Sequence, residues 1–209
     1  MSDYNSKISK KKQKKLSDIS ATYSIEIPEG CEIGKDVNFG KFCSIGKNVK
    51  IGNYSKIGQN VFIEEGVVIG EYCEIQNNVY LPQGLICGNR VVIGHSTVFT
   101  KIHYPHRQHA LQQKRELLTT RLHHGVQIGA NVTILNGIEL GKFSMIGSAS
   151  FVTNDVRAYA LIMGNPQKQT GWVSEHGAKL NFLNKDRTSV CPISGCLYRL
   201  EGIYVLKIS

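Results

Sequence analysis

Long apolar runs are missing from this chain of 209 residues. No stretch approaches the roughly 20 apolar residues that a membrane-spanning helix needs, and the lysines near the N-terminus have no apolar segment behind them. No membrane insertion is therefore expected, and the reading is a cytoplasmic protein. Proline is scarce as well: 5 prolines against 21 glycines fit many tight backbone corners rather than disorder. Charged residues make up only 20% and hydrophobic ones 41%, which places the chain in the ordinary globular range. Its length suits one well-buried core plus a small appendage. Aromatic residues are not interleaved with the basic ones, so the formal charge of +9 implies no nucleic acid partner. Much of that charge sits in Lys7, Lys10, Lys11, Lys12, Lys14 and Lys15, expected to form a solvated, mobile tail over residues 1–22. Metal-ligand pairs are lacking too. Cys191 and Cys196 have no second pair of ligands nearby and read as structural thiols, and no metal is expected.

What the chain does have is a period of six. An apolar residue recurs at Ile27, Ile33, Phe39, Ile45, Ile51, Ile57, Ile63, Ile69, Ile75, Leu81, Cys87, Ile93 and Phe99, and again at Ile128, Ile134, Leu140, Ile146 and Val152. Two residues before each anchor stands a second small or apolar residue, such as Cys31, Cys43, Val49, Val61, Cys73 and Val79. A pair at i and i−2 on one face is strand alternation, and the period places a turn after every short strand. Neither a helix nor a series of hairpins repeats in this way. Three such strands close one triangular coil, and coils stack in parallel with the anchors lining a dry interior. The fold class is therefore all-β, a parallel β-helix built as a hexapeptide solenoid over residues 23–157.

The series breaks between Phe99 and Ile128, 29 residues apart and one short of five hexads. A segment that leaves the register must protrude, so an extruded loop is expected over residues 100–124. It holds His103, His106, His109, His123 and His124 of the chain's 7 histidines. Ordered loops of such length in compact proteins are usually functional. Past Val152 the pattern stops, and residues 158–209 are expected to cap the open end with a short helix or turn and a small β element around the alternating run from Tyr198 to Leu206.

The hexads, Gly129-Ala130-Asn131, Gly147-Ser148-Ala149-Ser150 and Gly164-Asn165-Pro166-Gln167-Lys168 together resemble the acetyl-CoA-dependent hexapeptide acyltransferases. That resemblance implies the left hand of the helix, acetyl-CoA as cosubstrate, and a homotrimer with its active sites between subunits. Three further segments are similar to bacterial N-acetyltransferases of UDP-2-acetamido-3-amino-2,3-dideoxyglucuronate and of dTDP-linked 3-amino-6-deoxyhexoses, which serve surface polysaccharide synthesis. They are Gly58-Gln59-Asn60-Val61-Phe62, Ile75-Gln76-Asn77-Asn78-Val79 and Gly171-Trp172-Val173-Ser174-Glu175-His176-Gly177. Where that group usually has Trp-His-Phe and Phe-Thr-Asn, this chain has Gly40-Lys41-Phe42 and Phe99-Thr100-Lys101. The run Thr100-Lys101-Ile102-His103-Tyr104-Pro105 is similar instead to a loop of galactoside-type acetyltransferases, in which a histidine is the general base.

Acetyl transfer to the amine of a nucleotide-linked amino sugar needs held reactants, a deprotonated amine and stabilisation of charge on the thioester oxygen. His103 is the expected base, with His106 and His123 behind it, because an imidazole accepts a proton near neutral pH. Gly129, Ala130, Gly147 and Ala149 are implied to let the pantetheine arm approach the backbone, and Lys168 to meet the 3′-phosphate of CoA. Gln59, Asn60, Gln76 and Asn78 are candidates for the nucleotide sugar, since amide side chains both donate and accept. Stacked outward ladders are the other reading of those four. Lys101 is a candidate for a phosphate or substrate carboxylate. Two alternatives share the solenoid: a sugar O-acetyltransferase and a catalytically silent trimeric scaffold. A zinc-dependent carbonic anhydrase is disfavoured, because the regular coils carry only His95.

Overall fold

The computed structural model describes residues 25–101 and 118–209. It contains strands and turns and, among the described residues, no helix, so none long and apolar enough to cross a membrane. The helix allowed for in the cap is absent there; strands take its place. The expected tail over 1–22 lies outside the described residues, as do His103 and His106.

Most hexads form a two-residue strand whose first residue faces out and whose second, the anchor, faces in, as in Lys50–Ile51 and Lys56–Ile57. Strands pair in parallel with those one coil on, so that Ile33 meets Ile51 and Ile51 meets Ile69. Three flat faces result, and the coils form a left-handed parallel β-helix. The first face runs from Glu32–Ile33 to Glu139–Leu140, the second from Asn38–Phe39 to Met145–Ile146, and the third from Ser44–Ile45 to Phe151–Val152. We call the corner between first and second faces edge I, between second and third edge II, and between third and first edge III. Anchors from all three faces fill one continuous core, including the thiols of Cys73 and Cys87.

The corners follow a rule that the apolar period does not reveal. The third residue after each anchor from Ile33 to Ile93 has positive φ: Asp36 at 52°, Phe42 at 62°, Asn48 at 57°, Tyr54 at 59°, and so on without a gap to Ser96 at 60°. The series resumes at Gly125 and runs through Asn131, Gly137, Phe143 and Ala149. This left-handed conformation disfavours most L-residues, and glycine and asparagine adopt it most readily. Next to the anchors, the glycines permit close stacking of coils. A Cβ on Gly94 would lie 2.5 Å from the carbonyl carbon of Gly129.

The break is shorter on its C-terminal side than the hexad count implied. Residues 120–122, expected within the loop, form the strand Thr120–Leu122, in which Leu122 pairs with Cys87 and is buried. Leu122 stands six residues before Ile128 and is the first anchor after the break. His123 and His124 consequently lie on edge I instead of an extruded loop. His123 is 3.5 Å from Glu139, and the His124 ring meets Phe143 edge-on at 5.2 Å.

The C-terminal end departs from the expected boundary in a similar way. Ala160–Met163 adds a parallel rung to the second face beside Met145–Ile146, and only then does Lys168–Val173 turn back antiparallel upon it. Lys179–Leu180 extends that sheet, and Thr188–Val190, Leu197–Glu201 and Tyr204–Lys207 form a separate antiparallel sheet. A second small core of Leu180, Cys191, Tyr198 and Val205 holds this unit together, with Trp172 touching both cores.

Candidate active site

Edge II gathers most of the candidate residues, although they are scattered over more than a hundred positions of sequence. Successive coils bring Gly58-Gln59-Asn60, Gln76-Asn77-Asn78, Gly94-His95-Ser96, Gly129-Ala130-Asn131 and Gly147-Ser148-Ala149 to this one corner. The segment Gly164 to Lys168 closes its far end: the Gly164 amide donates to the Ser150 hydroxyl at 3.0 Å, and the Gln167 side-chain oxygen accepts from the Thr153 amide at 2.6 Å. Lys168 begins the returning strand opposite Met163, with its side chain exposed.

Several of these side chains have a structural reason for being there. Asn60 and Asn78 occupy left-handed turn positions, and the Asn60 amide donates to the Asn78 side-chain oxygen at 2.9 Å. The Gln76 side chain accepts from the His95 backbone amide at 3.1 Å, so it fixes the turn that carries His95. The Gln59 backbone is capped by Asn77, and the Gln59 side chain is exposed.

Gly129, Ala130, Gly147 and Ala149 leave the edge open, but their N–H groups are already engaged. Gly129 donates to Ile146 at 2.8 Å, Gly147 to Ile162 at 2.8 Å, Ala149 to Ala130 at 2.9 Å, and Ala130 to the Ser148 hydroxyl at 3.1 Å. The Gly129 and Gly147 carbonyls accept from the buried Thr97 and Ser150 hydroxyls at 3.1 and 2.7 Å, so an arm lying along this track meets oxygens that each keep a second lone pair, rather than donors. A pantetheine chain carries two amide N–H groups suited to such acceptors, so the residues present fit it.

His95 is the functional candidate that reading the hexads for anchors passes over. It is exposed, midway along the edge between the amide-bearing coils and the small-residue coils. Beside it on the second face lies a shallow depression of about 410 Å³, lined by Lys56, Glu74, Gln76, Asn77 and His95 among others. The signal was available in sequence: His95 stands two residues after its anchor, as do Gln59, Asn77, Ala130 and Ser148.

Lys101 is not brought to this edge. It lies on edge III, across the third face, where its ammonium contacts both oxygens of Glu64 at 2.8 and 3.0 Å. Glu64 also accepts from the Tyr80 hydroxyl at 2.9 Å and the Gln83 amide at 2.8 Å. Burial pushes the Glu64 carboxyl up, but these hydrogen bonds and the Lys101 charge outweigh it and hold the group below its ordinary value. Burial and Glu64 itself push Tyr80 up to about 12. A carboxyl depressed in the folded state contributes stability that is fully present above its unfolded pKa and is lost as pH falls through the folded value. Thermal unfolding followed from about pH 6 down to about pH 3 should thus show a steeper acid loss of Tm in the native chain than in Glu64→Gln, with the gap between the two curves closing below about pH 4.5. Parallel curves would remove the Glu64 cluster as a source of acid sensitivity.

Comparison with known proteins matches the coils themselves. The bacterial transferase hexapeptide (six repeats) family describes residues 30–65 and 48–83, and the hexapeptide repeat of succinyl-transferase describes residues 124–154. A dTDP-3-amino-3,6-dideoxy-alpha-D-galactopyranose 3-N-acetyltransferase of Aneurinibacillus thermoaerophilus is 38% identical over 79 residues, 38% of this chain and 40% of that protein. Serine acetyltransferase 4 of Arabidopsis thaliana is 36% identical over 58 residues, 28% of this chain and 16% of that one. The chain thus spans less than half the length of these relatives. Among solved structures, a point variant of AntD, an N-acyltransferase from Bacillus cereus in complex with dTDP and coenzyme A, superposes with a TM-score of 0.62. Identity there is 20%, over 77% of this chain and 88% of that one, which is a likeness of fold.

Proposed function

We propose that this hexapeptide-repeat protein transfers the acetyl group of acetyl-CoA to the amino group of a nucleotide-linked amino-deoxy sugar, carried by UDP or dTDP, in bacterial surface polysaccharide synthesis. The observation that carries this reading is the convergence on edge II of a small-residue track ending at Lys168, the amide-bearing turns of Gln59 and Gln76, and an exposed imidazole between them. The identity to a dTDP-amino-sugar N-acetyltransferase supports the acceptor class. Acetyl-CoA supplies a thioester-activated acetyl group. Lys168 meets its 3′-phosphate, and Gly129, Ala130, Gly147 and Ala149 let its arm approach the backbone. Gln59, Asn60, Gln76 and Asn78 take the nucleotide sugar, and His95 receives the proton that the attacking amine must lose. His103 and His106, outside the described residues, remain the other bases within reach of the reading.

The working unit is a cytoplasmic homotrimer with sites between copies. Two features support it. The outward residues of the third face are Ser44, Phe62, Tyr80, Val98, Thr133 and Phe151, and the Phe62 and Tyr80 rings stack at 5.8 Å. Phe42, 79% exposed, extends this apolar stripe onto edge II. Contiguous exposed apolar surface of this kind marks contact surfaces. The third face is bordered by both edge II and edge III, so a copy seated on it can unite Lys101 of one chain with the edge II residues of another, which one chain keeps apart.

Thermal unfolding with acetyl-CoA tests the reading. A ligand that binds only the native state at 100 times its Kd stabilises by about 2.7 kcal/mol. A clear upward shift of Tm is expected, followed by release of free thiol when UDP- or dTDP-linked 3-amino sugars are added. The absence of any shift at millimolar cofactor would point to the silent scaffold. A shift without turnover on any amino sugar, but with turnover on a sugar hydroxyl, would replace N- by O-acetylation.

A further inference from the structure

The C-terminal hairpin carries two thiols that the proposed acetyl transfer does not use. Thr188–Val190 and Leu197–Glu201 pair antiparallel with Ser189 opposite Tyr198 and Val190 opposite Leu197. The next step of that register sets Cys191 opposite Cys196, and the Cys191 amide does donate to the Cys196 carbonyl at 2.9 Å. Gly195, with φ at 73°, and its amide bond to the Cys191 carbonyl at 2.9 Å close the turn between them. Directly opposed residues point to the same side of a hairpin, and both side chains join the same small core as Tyr198. Opposed Cα atoms stand about 4.5–5.5 Å apart, inside the window of about 4.4–6.8 Å that a disulfide requires. Both thiols are free.

Their environments differ in a useful way. Cys191 is fully buried, with its sulfur 3.2 Å from the Ser174 hydroxyl, whereas Cys196 is half-buried and open to small solutes. We propose that Cys191 and Cys196 are a reversible oxidation site that closes to a disulfide in the presence of a hydroperoxide. The Cys196 sulfur attacks the peroxide oxygen, forming an S–O bond as the O–O bond breaks and water leaves. The Cys191 sulfur then attacks the Cys196 sulfur, forming the S–S bond as the S–O bond breaks and a second water leaves. Two thiols are oxidised and one hydrogen peroxide is reduced to two waters. The surroundings favour the second step. Burial alone would raise the Cys191 thiol, but hydrogen bonds involving Ser174, Ser194 and Ile193 bring it down to about 6, which favours its attack on the Cys196 sulfur.

Trypsin isolates the site, because cleavage after Arg187 and Arg199 yields one peptide, residues 188–199, that contains both cysteines and no others. The folded chain is treated with hydrogen peroxide, blocked with N-ethylmaleimide under denaturing conditions, digested and weighed. The expected result is loss of both labels from this peptide and a mass about 2 Da below the dithiol, restored by dithiothreitol. Cys196→Ser should abolish the change, and its unaltered circular dichroism would show that the hairpin still folds. Accumulation of sulfinic or sulfonic acid on Cys196 with Cys191 still labelled would overturn the proposal. So would a covalent dimer through Cys196, or full labelling of both residues.

Discussion

Replacing His95 with alanine should lower kcat by about 10²–10⁴-fold while leaving the Tm within about 1 °C, the range expected for removing a general base that is not part of the core. The separation of the two readouts follows from the contacts. The His95 side chain is exposed, with the Ser96 hydroxyl at 3.5 Å, whereas the turn is held by the backbone bonds to Gln76 and Asn131. Alanine keeps those. Acetyl-CoA should still raise the Tm of the variant, because Lys168 and the small-residue track lie on later coils. The pH profile adds a third check. A base that acts only when unprotonated gives kcat/KM an acid limb, and that limb should vanish in His95→Ala. A loss below threefold would end the assignment and move the base to His103, for which the same substitution makes the decisive comparison.

How the fold could be read from sequence, and why part of the site could not, is shown by three groups of residues. Anchors such as Ile51 and Ile93 are legible because an inward position tolerates little besides apolar side chains. The left-handed positions one half-turn later are not. Asn48, Asn60 and Asn78 suit them, but Asp36, Phe42, Tyr72 and Arg90 occupy the same backbone conformation, so residue type hides the series. That is why Asn60 and Asn78 read first as ligand groups and prove also to be turn residues that hold each other. The Glu64 to Lys101 pair was hidden for a different reason. It spans 37 positions and passes Tyr80 and Gln83 on the intervening coil, a relation that the period of six does not mark. Across the break, the register itself decides which edge a residue occupies. Counting hexads to Ile128 alone placed His123 and His124 on a loop, whereas Leu122, already paired with Cys87, puts them on edge I.

Phe99→Ala should destabilise the chain by about 3–5 kcal/mol, the usual cost of emptying a buried aromatic site. For a chain of this size each kcal/mol lowers the Tm by about 2–4 °C, so a loss of roughly 10 °C is expected. Phe99 is 1% exposed and faces Ile134 on the next coil, in the third-face pairing made across the segment that interrupts the series. A coil solenoid is nearly one-dimensional, each coil resting on its two neighbours, so a cavity at this junction weakens the coupling between the coils before and after the break. The same truncation at Phe39 removes a similar area, but among the described residues its strand pairs with one neighbouring strand, at Ile57, and its unfolding should stay local. Urea unfolding distinguishes the two. Phe99→Ala should shift the midpoint and broaden the transition as the halves uncouple, whereas Phe39→Ala should add a small early step and leave the main transition in place. Equal, single and sharp transitions for both would mean that the coils unfold as one unit, with the interruption at residues 102–117 carrying no weakness of its own.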